Sequence, residues 1–159
     1  MSSVRPYDLD LLRKSFDVAK KAREGGDHPF GSVLGDETGA LLMEQGNGYS
    51  AEGGDRTAHA ERILASRAAK AYPLEKLAKM TLYTSAEPCA MCAGAISFAR
   101  IRRLYFGASD SKGGAVDHGP RFFSQPTCHH TPEIYGGMNE TDAADLLREF
   151  FKLRREANS

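Results

Sequence analysis

The sequence lacks both a net charge and long apolar runs. Its 21 Lys and Arg residues balance 21 Asp and Glu residues over 159 positions, so no net field attracts the molecule to a phosphate backbone or an anionic membrane. No run of about 18 apolar residues occurs, which argues against a transmembrane helix. Charged residues interrupt the first segment, so no secretory signal peptide is predicted. These absences favour a soluble, cytoplasmic protein.

Cysteine is scarce, with three in the whole chain. Two of them stand three positions apart, and in a reducing compartment this favours metal binding or redox chemistry over a disulfide framework. The length is typical of a single globular domain. With 41% hydrophobic and 26% charged residues, the composition is that of an ordinary folded chain.

Hydrophobic patterning predicts alternating helices and strands. Apolar residues recur with a helical period from Tyr7 to Arg23, with Asp8 as the N-cap. Extended runs at 30–34 and 41–45 flank a turn-rich segment and predict a β-hairpin. Further predicted elements are a helix at 58–72, a strand at 80–85, a helix at 89–99, a strand at 101–106, a short strand at 133–135 and a closing helix at 141–155. This alternation indicates an α/β layer fold, and the hairpin makes its sheet mixed.

Three side chains with the chemistry of zinc ligands fall in the first turns of predicted helices. His59 lies near the start of one helix, and Cys89 and Cys92 lie at positions i and i+3 on one face of another. The helix N-termini would favour the thiolates electrostatically. Three protein ligands leave the fourth tetrahedral position for water, which is typical of a catalytic zinc. The sequence therefore predicts an open Zn²⁺ site.

Glu61 follows His59 by two positions in the same first turn. Side chains there lean towards the N-terminal end of the helix, where the metal would lie. A carboxylate beside the attacking water can take its proton during attack on an amidine-like carbon and deliver it to the departing amine. We therefore expect Glu61 to be the general acid and base of a hydrolytic deaminase.

A closed structural zinc site is the alternative. Cys128, His129 and His130 form a compact group within the Gly-, Pro- and His-rich loop at 107–138, and one of them could supply a fourth ligand. The chain would then be a catalytically silent zinc-binding interaction module. Glu61 disfavours this alternative, because a structural site has no use for an acid beside an open metal position.

The segments around these residues resemble the zinc-dependent nucleobase and nucleoside deaminases of the cytidine deaminase-like superfamily. The letters HAE at 59–61 are followed by PCAMC at 88–92, and the wider segments 57–61 and 84–96 are similar to the branch of guanine deaminases, fungal-type cytosine deaminases and tRNA adenosine deaminases. The resemblance implies a three-layer α/β/α fold with a central mixed five-stranded sheet. It also implies one CMP/dCMP-type deaminase domain over 1–159, a Zn²⁺ cofactor and a homodimer.

The same resemblance assigns four more residues to the substrate. At the position of Asn47, family members hydrogen-bond the base, and Phe30 would place a ring against it. The backbone of Ala60 would hold the substrate at the helix start. Asp110 ends the segment FGASD at 106–110, which is similar to bacterial tRNA adenosine deaminases. For Asn47 and Phe30, ordinary roles as a turn residue and a core residue stay open.

Two substrate classes are compatible with these residues. The closing run FFKLRR at 150–155 and the segment 106–110 resemble tRNA adenosine deaminases and favour RNA. The zero net charge, the Pro-Phe-Gly segment around Phe30 and the long loop at 112–135, which has few basic residues, favour a small molecule. We therefore expect a free nucleobase, nucleoside or related heterocycle as the substrate, with the wobble adenosine of tRNA as the alternative.

Overall fold

The computed structural model describes residues 4–137 and, beyond them, only residues 141, 145 and 148. In chain order its elements are α1 (Asp8–Glu24), β1 (Gly31–Gly35), β2 (Leu41–Gly46), α2 (Ala60–Ala71), α3 (Leu74–Leu77), β3 (Thr81–Ala86), α4 (Ala90–Ala99), β4 (Arg103–Ala108), a 3-10 turn (Phe122–Ser124) and β5 (Glu133–Tyr135). The predicted closing helix at 141–155 lies largely outside the described residues.

The five strands form one mixed sheet in the order β2-β1-β3-β4-β5. Strand β1 runs antiparallel to both β2 and β3, whereas β3, β4 and β5 are parallel. All residues of β1, β3 and β4 are buried, because helices cover both faces of the sheet. The predicted three-layer α/β/α fold with a mixed five-stranded sheet is confirmed.

Two hydrophobic cores lie on opposite faces of this sheet. Tyr83 and Tyr105 point towards α1, where they pack with Leu12 and Phe16. Their neighbours along β3 and β4 point the other way, towards α2 and α4, and include Leu82, Leu104 and Phe106. This alternation with a period of two is what a strand imposes on its side chains. It leaves the ends of β3 and β4, together with the starts of α2 and α4, to form one edge of the molecule.

Asp8 is a buried ion-pair partner and not the N-cap of α1, so that prediction is wrong. Tyr7 occupies the cap position. The carboxylate of Asp8 accepts hydrogen bonds from the hydroxyls of Tyr83 and Tyr105 at 2.6 and 2.8 Å, and it pairs with Arg103 at 3.2 Å. Burial would raise the pKa of this carboxyl, but these donors hold it below its ordinary value. The network ties α1 to β3 and β4.

Two short helical turns escaped the sequence analysis. Helix α3 and the 3-10 turn contain four and three residues, which is too few for a hydrophobic period to emerge. None of the helices in the described part of the chain has the length and apolar character that a bilayer span requires.

Replacing Asp8 with Ala should lower the free energy of unfolding by about 3 kcal/mol, because the buried Arg103 would lose its closer carboxylate partner and keep only Glu133, at 3.5 Å. The matched control is Asp10→Ala, which removes an exposed carboxylate from the same helical turn and should cost less than about 1 kcal/mol. Urea unfolding followed by circular dichroism measures both values. Equal losses in the two variants would contradict the importance of the buried pair.

Candidate active site

The three predicted metal ligands meet at the edge of the sheet where β3 ends and two helices begin. His59 and Cys89 are the residues immediately before α2 and α4, and both have extended backbone. Both residues therefore occupy the N-cap positions of their helices, whereas the sequence predicted them inside the first turns. Cys92 lies one turn into α4. Because α2 and α4 pack side by side, residues about 30 positions apart in the chain come together here.

The ligand atoms have the spacing of a tetrahedral zinc site. Nδ1 of His59 lies 3.5 Å from Sγ of Cys89 and 3.6 Å from Sγ of Cys92, and the three atoms all lie within 4.8 Å of one another. Tetrahedral bonds of about 2.3 Å to sulfur and about 2.0 to 2.1 Å to nitrogen place such atoms about 3.5 to 3.6 Å apart. The residues present therefore fit a zinc ion, with Nδ1 as the nitrogen ligand.

The two sulfurs differ in their readiness to ionise. A hydrogen bond from Cys92 lowers the pKa of Cys89 to about 4, against the effect of burial and with further help from His59. The hydrogen bond between the two sulfurs raises the pKa of Cys92. The hydrogen bond between His59 and Cys89 raises the pKa of His59. This is the pattern of a thiolate beside a thiol. Metal binding would displace the remaining proton, because thiolates and neutral imidazoles are the ligands.

Glu61 lies buried next to these ligands, with 7% of its surface exposed. Burial raises its pKa to about 7, although a hydrogen bond from Thr84 opposes this shift. A carboxyl group with a pKa near neutrality can accept and donate a proton at the same pH. Of the predicted site residues, Glu61 therefore has the electrostatic environment best suited to moving protons.

A cavity of about 320 Å³ joins the predicted metal and substrate residues. Its lining comprises His28, Phe30, Asn47, His59, Glu61, Glu87, Cys89, Asp110 and Gly113. Of the four residues predicted to contact the substrate, only Ala60, which was expected to act through its backbone, is not among them, because it is fully buried at the start of α2. Ala60 can thus offer only its backbone.

Asn47 and Phe30 each have the structural role that the sequence left open, and each also lines the cavity. The side-chain oxygen of Asn47 accepts a hydrogen bond from the backbone N–H of Tyr49 at 2.9 Å, which is typical of a turn residue. Phe30 packs against the core beneath α1. Both residues nevertheless line the cavity, so a structural role does not remove either from the pocket.

Cys128, His129 and His130 lie outside the metal cluster. Sγ of Cys128 is 3.6 Å from the hydroxyl of Ser97, which donates a hydrogen bond to the backbone oxygen of His130. The ring of His129 packs on that of Phe98. Within the described residues, the group of potential ligands contains only His59, Cys89 and Cys92. The structure brings no fourth ligand to this cluster from the loop.

Glu87 is a pocket residue that the sequence analysis missed. It stands two positions before Cys89, and 4% of its surface is exposed. Burial would raise its pKa, but hydrogen bonds from backbone N–H groups, among them that of Asp110, and from the side chain of His118 hold it below the ordinary value. An acid directly between a buried strand and the Pro-Cys pair is the one signal in the sequence that could have drawn attention to it.

Comparison with known proteins identifies the relatives of this chain. Residues 6–108 match the family described as cytidine and deoxycytidylate deaminase zinc-binding region. A tRNA-specific adenosine deaminase of Agrobacterium fabrum is 50% identical over 137 residues, which are 86% of this chain and 89% of that protein. A solved tRNA:A34 deaminase, which edits A to I at the wobble position, has 46% identity and a TM-score of 0.78, covering 87% of this chain and 99% of its own.

A guanine deaminase from Nitrosomonas europaea shares 22% identity at a TM-score of 0.70, covering 94% of this chain and 86% of its own. This likeness concerns the fold alone.

The expectation of a free nucleobase or nucleoside as the substrate is wrong. The relatives that align with this chain at 50% and 46% identity are tRNA deaminases. The expectation relied on net charge and on Phe30. The net charge of the whole chain does not show where the basic residues lie on the surface. Phe30 packs against the core, so its aromatic ring does not by itself indicate a small-molecule substrate.

The family match, the fold and the ligand geometry agree with one another. The matched region spans residues 6–108 and therefore contains His59, Glu61, Cys89 and Cys92, the residues that converge at the edge of the sheet. The chain belongs to the cytidine and deoxycytidylate deaminase zinc-binding family and is a zinc-binding deaminase.

Proposed function

We propose that this enzyme hydrolyses the wobble adenosine of a tRNA anticodon to inosine and releases ammonia. The observation that carries the proposal is the likeness, at 46% identity, to a tRNA:A34 deaminase over 99% of that chain. Transfer RNA is decoded in the cytoplasm, which is where we expect the enzyme to act. The whole chain would serve as one catalytic domain.

The surroundings of the pocket support a substrate larger than a free base. A groove of about 730 Å³ adjoins the cavity and shares His28, Asn47 and His59 with it. Tyr49, 41% exposed, and the exposed Arg56 line this groove. An aromatic ring and a guanidinium group are the side chains on which unpaired RNA bases stack. A polynucleotide could therefore place one base in the cavity and its neighbours in the groove.

The chain's own residues divide the chemistry between them. We assign His59, Cys89 and Cys92 as zinc ligands. When bound, zinc supplies a Lewis acid that makes water acidic enough to attack near neutral pH. Glu61 takes one proton from the attacking water and delivers it to the ring nitrogen. It then carries the proton of the new hydroxyl group to the amino group, which leaves as ammonia while a carbonyl remains on the ring.

The substrate residues would orient the base for this attack. The amide of Asn47 and the carboxylate of Asp110 offer hydrogen bonds to polar atoms of the nucleoside, and the ring of Phe30 offers an apolar contact. The backbone of Ala60 would complete this set at the start of α2.

We also expect a homodimer. Ala65 and Ala68 of α2 are buried in the core, so they are not available for its contact. Met91 and Phe98 instead expose 37% and 70% of their surfaces on α4. A second copy that covers this face would remove both apolar side chains from water.

The ligand assignment predicts that Cys92→Ala protein loses nearly all of the roughly one zinc ion per chain that the native enzyme should hold. The matched control is Cys128→Ala, which removes the half-buried cysteine outside the cluster and should leave zinc content unchanged. Plasma mass spectrometry of dialysed protein measures both. Full zinc retention in the Cys92 variant would show that the ligand set is misassigned.

Glu61→Gln should lower kcat by about 10² to 10⁴, the usual value of general acid–base catalysis. Zinc content and melting temperature should change little, because the amide has nearly the same shape as the carboxyl. Glu52→Gln, the same substitution at an exposed position in the loop before α2, serves as the control. Near-native turnover in the Glu61 variant would eliminate the proposed proton transfer.

The substrate is tested by offering an unmodified tRNA that carries adenosine at the wobble position, beside free adenine, adenosine, cytosine and guanine. We expect inosine in the tRNA and no ammonia from the free compounds. The same tRNA with guanosine at that position is the control for site specificity. Raising the salt concentration should weaken tRNA binding through counterion release. Turnover of a free base, with none on tRNA, would refute the proposal.

A further inference from the structure

Glu87 is a buried carboxylate that the deamination chemistry does not use. Its Oε2 accepts hydrogen bonds from the backbone N–H groups of Val116, Asp117 and His118 at 3.1, 3.0 and 3.3 Å. Its Oε1 accepts one from the backbone N–H of Asp110 at 3.1 Å, and it lies 2.8 Å from Nδ1 of His118. Both oxygens are thus engaged by a single loop, the segment 110–118.

This loop depends on the carboxylate for its shape. The segment 110–118 has neither helix nor strand structure, so its N–H groups have no regular backbone partners. Buried N–H groups without partners are costly, and so is a buried charge without donors. The loop N–H groups supply donors to the buried carboxylate of Glu87, and the carboxylate supplies the acceptors that these N–H groups would otherwise find in a strand or a helix.

The loop packs closely against Glu87 at Gly114. A Cβ atom at Gly114 would lie 2.4 Å from the carboxyl group of Glu87, so only glycine permits this approach. The backbone on both sides is also joined: Ala115 donates to the carbonyl of Pro88 at 2.9 Å, and Glu87 donates to that of Ala108 at 2.7 Å. The end of β3 and the loop therefore form one unit.

One end of that unit faces the cavity. Asp110 and Gly113 line the same cavity as His59 and Glu61. The side chain of Asp110 also caps its own turn, because Oδ1 accepts hydrogen bonds from the N–H groups of Lys112 and Gly113 at 2.9 and 2.8 Å. The position of this wall relative to the rest of the pocket is therefore set by the hydrogen bond that the backbone N–H of Asp110 donates to Glu87.

We infer that Glu87 is a positioning residue for substrate binding: its carboxylate holds the 110–118 loop so that Asp110 and Gly113 form a wall of the pocket. It acts through the loop and not on the reacting atoms. The inference deepens the proposed function, because the substrate chosen for its test rests on that proposal.

The test is the split between KM and kcat in Glu87→Gln. The variant keeps the shape, but its NH₂ group cannot accept a hydrogen bond, so the donors on that side lose their acceptor. With an anticodon stem-loop carrying adenosine at the wobble position, KM should rise about tenfold while kcat falls less than about threefold. Zinc content should stay unchanged. Glu75→Gln, an exposed glutamate on α3, should alter neither constant.

An unchanged KM, with kcat lowered only in proportion to the loss of folded protein, would overturn the inference. If Glu87→Gln fails to fold or loses zinc, hydrogen exchange in the native enzyme decides. The amides of Val116 and Asp117 should exchange at least about a hundredfold more slowly than in an unstructured chain. Exchange at the unprotected rate would refute the inference that Glu87 holds this loop in place.

The failure of the two proposals can be told apart. A native enzyme that ignores the stem-loop but deaminates another amine refutes the tRNA proposal alone. The exchange measurement needs no substrate, and the KM ratio can then be taken on that other amine.

Discussion

The close approach of one imidazole and two sulfurs is the constraint on which the rest of the structure depends. His59 must come within about 3.6 Å of two cysteines that lie about 30 residues later in the chain. This is possible only if α2 and α4 start at the same edge of the sheet and lie side by side. Small residues at their contact, including Ala65, Ala68 and Ala93, allow that proximity. The parallel pair of β3 and β4 supplies the platform beneath them.

Burial acts in the same direction on the two glutamates of the pocket, but their hydrogen-bond donors give them opposite net pKa shifts. Glu61 has few donors around it, so desolvation dominates and raises its pKa to about 7. Glu87 is buried to a similar degree, yet it is surrounded by donors from one loop and stays ionised. The first environment suits a group that must exchange protons. The second suits a group that must keep a fixed charge in order to hold a loop in place.

The cavity and the groove that adjoins it bear on different aspects of the substrate. The cavity beside the metal cluster bears on how an amino group would be removed from a base. The groove that continues from it, with Tyr49 and Arg56, bears on what is attached to that base. Neither net charge nor a single aromatic position describes such a groove, since its walls come from separate loops.

The cluster of His59, Cys89 and Cys92, the neighbouring Glu61 and the main elements of the sheet could all be predicted from the sequence alone. Cys89 and Cys92 are three positions apart, and His59 and Glu61 are two positions apart, so local backbone geometry keeps each pair together wherever the chain goes. Strong periodicity likewise predicted the long helix and the alternating strands.

Roles that depend on distant partners became visible only in the folded structure. Asp8 looked like a helix cap until Arg103, almost a hundred residues away, was brought beneath it. Glu87 had no visible role until the 110–118 loop folded over its carboxylate. Sequence spacing governs contacts within one or two helical turns, whereas contacts across the sheet follow from topology, which no local pattern specifies.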